Sequence, residues 1–274
     1  MIDLHCHILP ELDDGPDVLA ESLQMAEIAA AGGIRAIVAT PHAGNGLYPS
    51  KPADIAGRVA DFNADLADAS IPLKVYPGAE VQLSPGLAER LHQGKVTTIN
   101  NSRYILLELP PILLPDSCKS ELSSLLNNGF IPVIGHAERH SYLQKNLAYL
   151  AGLVQMGVLC QVTAGSLLGR FGRNVKTVAE QMLQCCLAHI IASDAHGVEG
   201  RVPALEGAVS EAARLLDSRE KAMRMVTAIP AAIIADSNVY VEPPAMDAVS
   251  SKKTPWYNGG GSFFSTISDF WSRA

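Results

Sequence analysis

Seven short apolar runs, each followed by a stretch of helical spacing, leave this chain few ways to fold. The runs start at Met1-Ile2 and recur at 35–40, 73–78, 104–107, 130–134, 158–162 and 189–192. Helix patterns cover 17–31, 53–69, 86–93, 116–128, 146–156 and 174–185, and two more near 203–216 and 219–236 close the series. In the first of them Val18, Leu19, Leu23, Ala26, Ile28 and Ala30 fall near helical spacing, and Gly32-Gly33 ends it. A strand that is apolar on almost every residue is buried on both faces, which is the habit of parallel β/α units. The expectation is an α/β fold, a distorted (β/α)7 TIM-like barrel. The alternative is an open doubly wound sheet, but the chain carries no glycine-rich dinucleotide fingerprint that would favour it.

Polar residues cluster where these runs end. His5 and His7 close the first, His42 the second, Glu80 the third, Glu108 the fourth and His136 the fifth; Asp194 and His196 follow the last. The C-terminal ends of parallel strands share one face of a barrel, so residues far apart in sequence meet there. Strand spacing points His5 and His7 the same way and Cys6 the other. Gly15-Pro16 marks a turn that returns Asp14 to the same place. One such histidine would more often be structural, and the weight lies in the whole set reaching one rim. Nitrogen and carboxylate donors suit manganese, iron or zinc better than calcium or copper(I). Nine candidate ligands exceed the needs of one ion, so two or three ions sharing carboxylates are expected, an arrangement that activates water and clamps phosphoryl oxygens. Arg139 and Arg201 stand just beyond two of the strand ends, where a guanidinium can grip phosphate in bidentate fashion.

Bulk properties narrow the function further. A hydrophobic fraction of 48% over 274 residues supports a sizeable core. A net charge of -7 and the lack of a basic strip argue against nucleic acid as partner or substrate. The early residues hold no basic-then-apolar segment, so a signal peptide is not expected, and no apolar run approaches the ~20 residues that span a bilayer. Five cysteines, an odd number, read as reduced thiols of a cytoplasmic protein. A cysteine-based phosphatase would need an arginine six positions after its cysteine, and the residues found there are Leu12, Ser124, Ser166, Ile191 and Ala192. Cys185 and Cys186 read as packing residues and Cys6 as barrel interior. The domain is expected to span 1–242, followed by a Pro/Gly-containing aromatic tail over 243–274. In the tail Phe263, Phe264, Ile267, Phe270 and Trp271 fall at helical spacing, so it forms either an amphipathic helix that meets the barrel, a partner or a membrane surface, or a disordered terminus.

The stretches MIDLHCHILPELDDGP, ATPHA, GAEV, LLEL, IGHAER and ASDAHGVEGRVP, spread over 1–203, resemble the PHP (polymerase and histidinol phosphatase) superfamily. Within it the chain is similar to the bacterial metal-dependent protein-tyrosine phosphatases of capsule and exopolysaccharide synthesis. The resemblance implies a trinuclear site, often with manganese, held by His5, His7, Asp14, His42, Glu80, Glu108, His136, Asp194 and His196, with Glu80 and Glu108 as candidate bridges. Iron, zinc or magnesium are possible substitutes. It makes Arg139 and Arg201 phosphate-stabilising groups and the substrate a phosphotyrosine protein, the tail of a tyrosine kinase. His140 departs from the family, which often has an aromatic residue there, and the aromatic tail has no recognised counterpart. The loops at 43–50 and 110–116 are expected to shape entry. Competing expectations are a small-molecule phosphatase, such as one acting on histidinol phosphate, and a non-catalytic regulator that binds through its tail.

Overall fold

In the computed structural model, which describes residues 1–43, 48, 51–112 and 115–245, every strand pairing is parallel. The strands are β1 (Ile2–Cys6), β2 (Ala36–Ala39), β3 (His42–Ala43), β4 (Lys74–Pro77), β5 (Glu80–Gln82), β6 (Tyr104–Glu108), β7 (Ile131–Ile134), β8 (Leu159–Thr163) and β9 (Ile190–Ala192). They hydrogen-bond in the orders β1-β2-β4 and β3-β5-β6-β7-β8-β9. The pairs β2/β3 and β4/β5 are each one stave broken near its middle, so the strands make seven staves. Pro41 interrupts the first, since it has no N–H to give a neighbour. At the second break the staves nearly touch: a Cβ on Gly78 would stand 2.5 Å from Val38 Cγ1. The ring closes where the chain after β9 meets β1. There the Asp194 N–H donates to His5 O at 2.8 Å and the His7 N–H to Ala195 O at 2.9 Å. The expected (β/α)7 barrel is therefore present, and its distortion is the pair of broken staves.

Helices Leu19–Ala31, Pro52–Asp68, Leu87–His92, Pro115–Asn127, Leu147–Gln155, Arg173–Gln184 and Glu206–Leu216 lie close to their expected positions. The single helix expected over 219–236 is instead two, Arg219–Arg224 and Ala228–Ile234. Pro230 has no N–H for the Val226 carbonyl, so the chain stops and restarts with proline in the first turn, where it is tolerated. Short helices Ser141–Lys145 and Ala164–Leu167 and a 3-10 turn at Ala137–Arg139 were not expected from spacing.

Alternation along the strands sorts the core into two layers. Ile37, Ile105, Leu107, Ile134, Cys160, Val162 and Ile191 pack outward with the helices. Leu4, Val38, Tyr104, Leu106, Val133, Leu159 and Ile190 fill the barrel, and Ile99, Ile229 and Ile233 close its N-terminal end. β1 breaks the pattern. Leu4 belongs to the inner layer and Cys6, two residues on, to the outer one, because the register shifts between Asp3 and Cys6. Cys6 is thus outside the barrel rather than in its interior as expected, and His5 and His7 take the inner side.

Residues 236–245 run back across the N-terminal end. The Arg103 N–H donates to Asp236 Oδ1 (2.9 Å) and the Tyr104 hydroxyl to Ser237 O (2.7 Å). The Ala245 N–H donates to Cys185 O (3.0 Å). The amphipathic segment expected over 263–271, most of the loop at 43–50 and part of that at 110–116 lie outside the described residues. No helix among the described residues is long and apolar enough to cross a membrane.

Candidate metal centre

The last residues of β1 set the geometry of the rim. Gln161 Oε1 accepts the His136 N–H at 3.0 Å, which fixes that oxygen as an acceptor, so His5 Nδ1, 3.1 Å away, carries the proton. Asp13 does the same for His7: Oδ2 lies 2.5 Å from Nδ1 and also accepts the His42 N–H at 2.8 Å. Each ring thus donates outward through Nδ1 and turns an Nε2 lone pair inward, the usual posture of a ligating histidine. The two Nε2 atoms are 3.2 Å apart, and both residues are fully buried.

Carboxylates from other staves face this pair. Glu80 Oε2, at the start of β5, lies 3.3 Å from His5 Nε2, 3.5 Å from His7 Nε2 and 3.3 Å from His42 Nδ1, while Oε1 lies 2.7 Å from His136 Nε2. Asp14 Oδ1 lies 3.6 Å from His42 Nε2 and 3.3 Å from His196 Nε2. Asp194 Oδ1 is 3.4 Å from His5 Nε2. Two donor groups result, His7–Asp14–His42–His196 and His5–His7–Glu80, each with its ligand atoms within 4.8 Å of one another, and His7 belongs to both. Arg139 and Arg201 flank Asp194: Arg139 Nη1 is 2.6 Å from Oδ2 and Arg201 Nη2 2.5 Å from Oδ1. The Phe171 ring lies against the Arg139 guanidinium, 4.4 Å from ring centroid to Cζ.

Two of the nine described non-glycine residues with left-handed backbone lie at the same place. His136 (φ 33°) and Asp194 (φ 52°) adopt the left-handed conformation that side chains disfavour. Their N–H groups are held by Gln161 Oε1 and His5 O. A Cβ on Gly135 would stand 3.3 Å from Glu80 Oε1 and 3.5 Å from His5 Cε1, so glycine there leaves the site its room.

The electrostatics of the rim follow from these contacts. Burial opposes charge on His7, but its hydrogen bonds to Asp13 and Glu80 outweigh it and push the imidazole up to about 10. Burial is likewise overcome at His136, where Glu80 lifts the ring to about 9. Asp194 is held down to about 2 against burial by His5, His136 and Arg201, and Glu80 sits well below the carboxylate range against burial through its histidines. His196 falls to about 4 through burial and the neighbouring charges of His7 and Arg201. Buried carboxylates ringed by imidazoles whose Nε2 atoms point inward fit divalent ions, which would displace the protons these histidines otherwise hold.

Eight of the nine expected ligands are linked by these contacts. Glu108 is not. It ends β6 half-buried on the same strand face as Leu106, with its carbonyl accepting the Leu83 N–H at 2.8 Å, and stands outside both donor groups. Three residues that hold the candidate ligands, Asp3, Asp13 and Gln161, escaped the sequence reading. Asp13 was visible only as half of an Asp-Asp pair, and Gln161 as one of two polar residues, with Thr163, in the run LCQVT. Asp3 accepts the Ser193 N–H at 2.9 Å beside Asp194, and burial raises it to about 6. His140, at the position that departs from the resemblance, donates from Nε2 to Pro110 O at 3.0 Å and pins one rim loop. The thiols offer no competing nucleophile: burial pushes Cys6, Cys118 and Cys160 up, away from thiolate.

Residues 1–235 match the family model described as capsular polysaccharide synthesis, CpsB/CapC. The chain is 39% identical over 201 residues to tyrosine-protein phosphatase YwqE of Bacillus subtilis, covering 73% of this chain and 79% of that protein. It is 29% identical over 241 residues to tyrosine-protein phosphatase CpsB of Streptococcus pneumoniae, covering 86% and 99%. A chain from the crystal structures of YwqE and CpsB, described as metal-dependent tyrosine phosphatases, aligns with a TM-score of 0.85 at 35% identity, over 89% of this chain and 98% of that one.

Proposed function

This chain belongs to the CpsB/CapC family of capsular polysaccharide synthesis and is a metal-dependent tyrosine phosphatase, and we propose that it acts on the phosphotyrosine tail of a bacterial tyrosine kinase controlling capsule or exopolysaccharide synthesis. The observation that carries the site assignment is the pair of donor groups sharing His7 beneath two arginines on one carboxylate. We assign His5, His7, Asp14, His42, Glu80, Glu108, His136, Asp194 and His196 as ligands of two or three divalent ions, manganese first, with iron, zinc or magnesium as substitutes. Residues 1–242 form the phosphatase domain, and 243–274 a tail that contacts a partner or a membrane surface. The odd number of cysteines and the buried thiols suit a cytoplasmic protein.

When bound, the ions supply positive charge against the phosphoryl oxygens and activate a water nucleophile. The protein's own contribution is charge and position. An arginine carries five N–H donors, so the one or two each spends on Asp194 leave others for phosphoryl oxygens. Asp194 fixes where both guanidiniums stand, so they meet charge as it spreads over the transferring group without first having to reorganise. Gln161 and Asp13 keep His5 and His7 in the tautomer that faces inward. The tyrosine leaves as a phenolate with an unperturbed pKa of about 10, so it needs less protonation than a serine alkoxide.

The test is phosphate release by metal-stripped protein with Mn, Mg, Zn or nothing added, on phosphotyrosine peptide, phosphoserine peptide and histidinol phosphate. Metal-dependent phosphotyrosine turnover is expected, abolished in His136→Ala and weakened in Arg139→Ala. Turnover of histidinol phosphate alone would keep the site and change the substrate. Bound metal with no turnover of any ester would make the chain a regulator.

A further inference from the structure

A cavity of about 720 Å³ opens beside the metal centre, between the segment around 164–171 and the loop around 198–207. Ser193 and Arg201 form its edge toward the rim, and Leu168, Phe171, Val198 and Val202 supply apolar wall. Arg201 lines it while holding Asp194 Oδ1, and Phe171 lines it while its ring lies on the Arg139 guanidinium. Arg170 ties the two walls together by donating from Nη1 to Gly200 O. Leu168 leaves 43% of its surface exposed, although such a side chain gains by burial.

We propose that this cavity receives the aromatic ring of the substrate phosphotyrosine and so sets a preference for aryl over alkyl phosphate esters. The proposal rests on the reading above that phosphotyrosine is hydrolysed at the metal centre. Arg201 stands at the cavity edge, so a phosphoryl group held by its remaining N–H groups would present its ester oxygen toward a wall that includes Phe171 and Leu168. An aryl ring can stack or pack edge-on against Phe171 and cover Leu168. A serine ester ends in one methylene there and leaves the apolar wall wet. The volume lies within the range of about 300–1,000 Å³ typical of ligand pockets, enough for the ring with part of its backbone.

Non-hydrolysable analogues separate ring binding from leaving-group chemistry. Phenylphosphonate and methylphosphonate are compared as inhibitors of phosphotyrosine-peptide turnover by the metal-loaded full chain. Phenylphosphonate is expected to inhibit at about tenfold lower concentration, a difference of the size a shaped apolar pocket provides. Leu168→Asp makes the wall polar and Leu168→Trp fills the space; each should bring the ratio toward one and raise KM for the peptide more than it lowers kcat. Leu168→Met should keep the ratio. The exposure of Leu168 keeps these changes out of the core, and unchanged thermal unfolding checks that. Equal inhibition by the two phosphonates in the unaltered protein would overturn the proposal, as would a ratio that survives both variants. A chain that hydrolyses other monoesters but no phosphotyrosine would overturn the substrate reading and the cavity's role with it.

Discussion

The two ends of this barrel each bury a histidine, and the two rings behave in opposite ways. At the C-terminal end His7 lies between Asp13 and Glu80 and is pushed up to about 10. At the other end His189 begins the stave of β9 with no carboxylate beside it, and burial alone pushes it down to about 4. The Cys160 N–H donates to His189 Nδ1 at 3.0 Å, so Nε2 carries the proton and the ring serves as a neutral backbone cap. Burial therefore does not decide what a histidine does; the acid next to it does. The same staves that bring carboxylates to one rim end in Tyr104, Leu4 and Ile190 at the other, plugged by Ile229 and Ile233.

Substitutions at the two ends should fail in opposite ways. Glu80 faces four histidines, and Glu80→Ala is expected to lower metal-dependent turnover on the order of a thousandfold while the protein still unfolds cooperatively. Tyr104→Ala, in the plug, should cost about 3–5 kcal/mol in urea unfolding and leave kcat/KM of the folded protein near its original value. If both substitutions impaired both properties alike, the division of labour between the ends would be wrong.

His189 gives a pH test that the rim does not share. Its folded pKa, about 4, lies below the ordinary imidazole value of 6.5, so the unfolded chain takes up the proton first as pH falls. Its contribution is complete above about pH 6.5, declines below that and is gone near pH 4, amounting to about 3 kcal/mol. Urea unfolding between pH 7.5 and 4 should show this slope, and His189→Phe should flatten it by that amount. An unchanged slope in the variant would mean that the ring is not held neutral.

The smallest expected effect sharpens the account of the rim. Asp13→Asn keeps the size of the group that holds His7 Nδ1 but removes its charge. It should weaken metal affinity about 10–100-fold with the ion stoichiometry unchanged, read by competition with a chelator. A change in stoichiometry would instead make Asp13 a ligand.

The gathering of eight of the nine candidate ligands at one rim was legible in the sequence because most of them sit within a few residues of an apolar run, and the strand period fixes where such a residue points; Glu108 stands apart. The barrel followed from the same runs. What escaped depends on distance along the chain or on local defects. Gln161 reaches a ligand 156 positions away, and no pattern within LCQVT names its partner. The broken staves come from Pro41 and from the contact at Gly78, which appears only once two strands lie side by side. Pro230 stood in view within the last helical stretch, and apolar spacing concealed the break it makes. Cys6 was read as interior from its place beside two ligands, although the strand period itself turns it away from His5 and His7, which is where the structure has it.

The register shift in β1 gives the strand two phases. Leu4 is set by packing, and His5 and His7 by chemistry, yet they are neighbours facing the same axis. A substitution upstream is judged by how well it fills space, and one downstream by what it binds. One extra residue's worth of slip thus lets a single strand turn a space-filling side chain and two polar rings toward the same axis in succession.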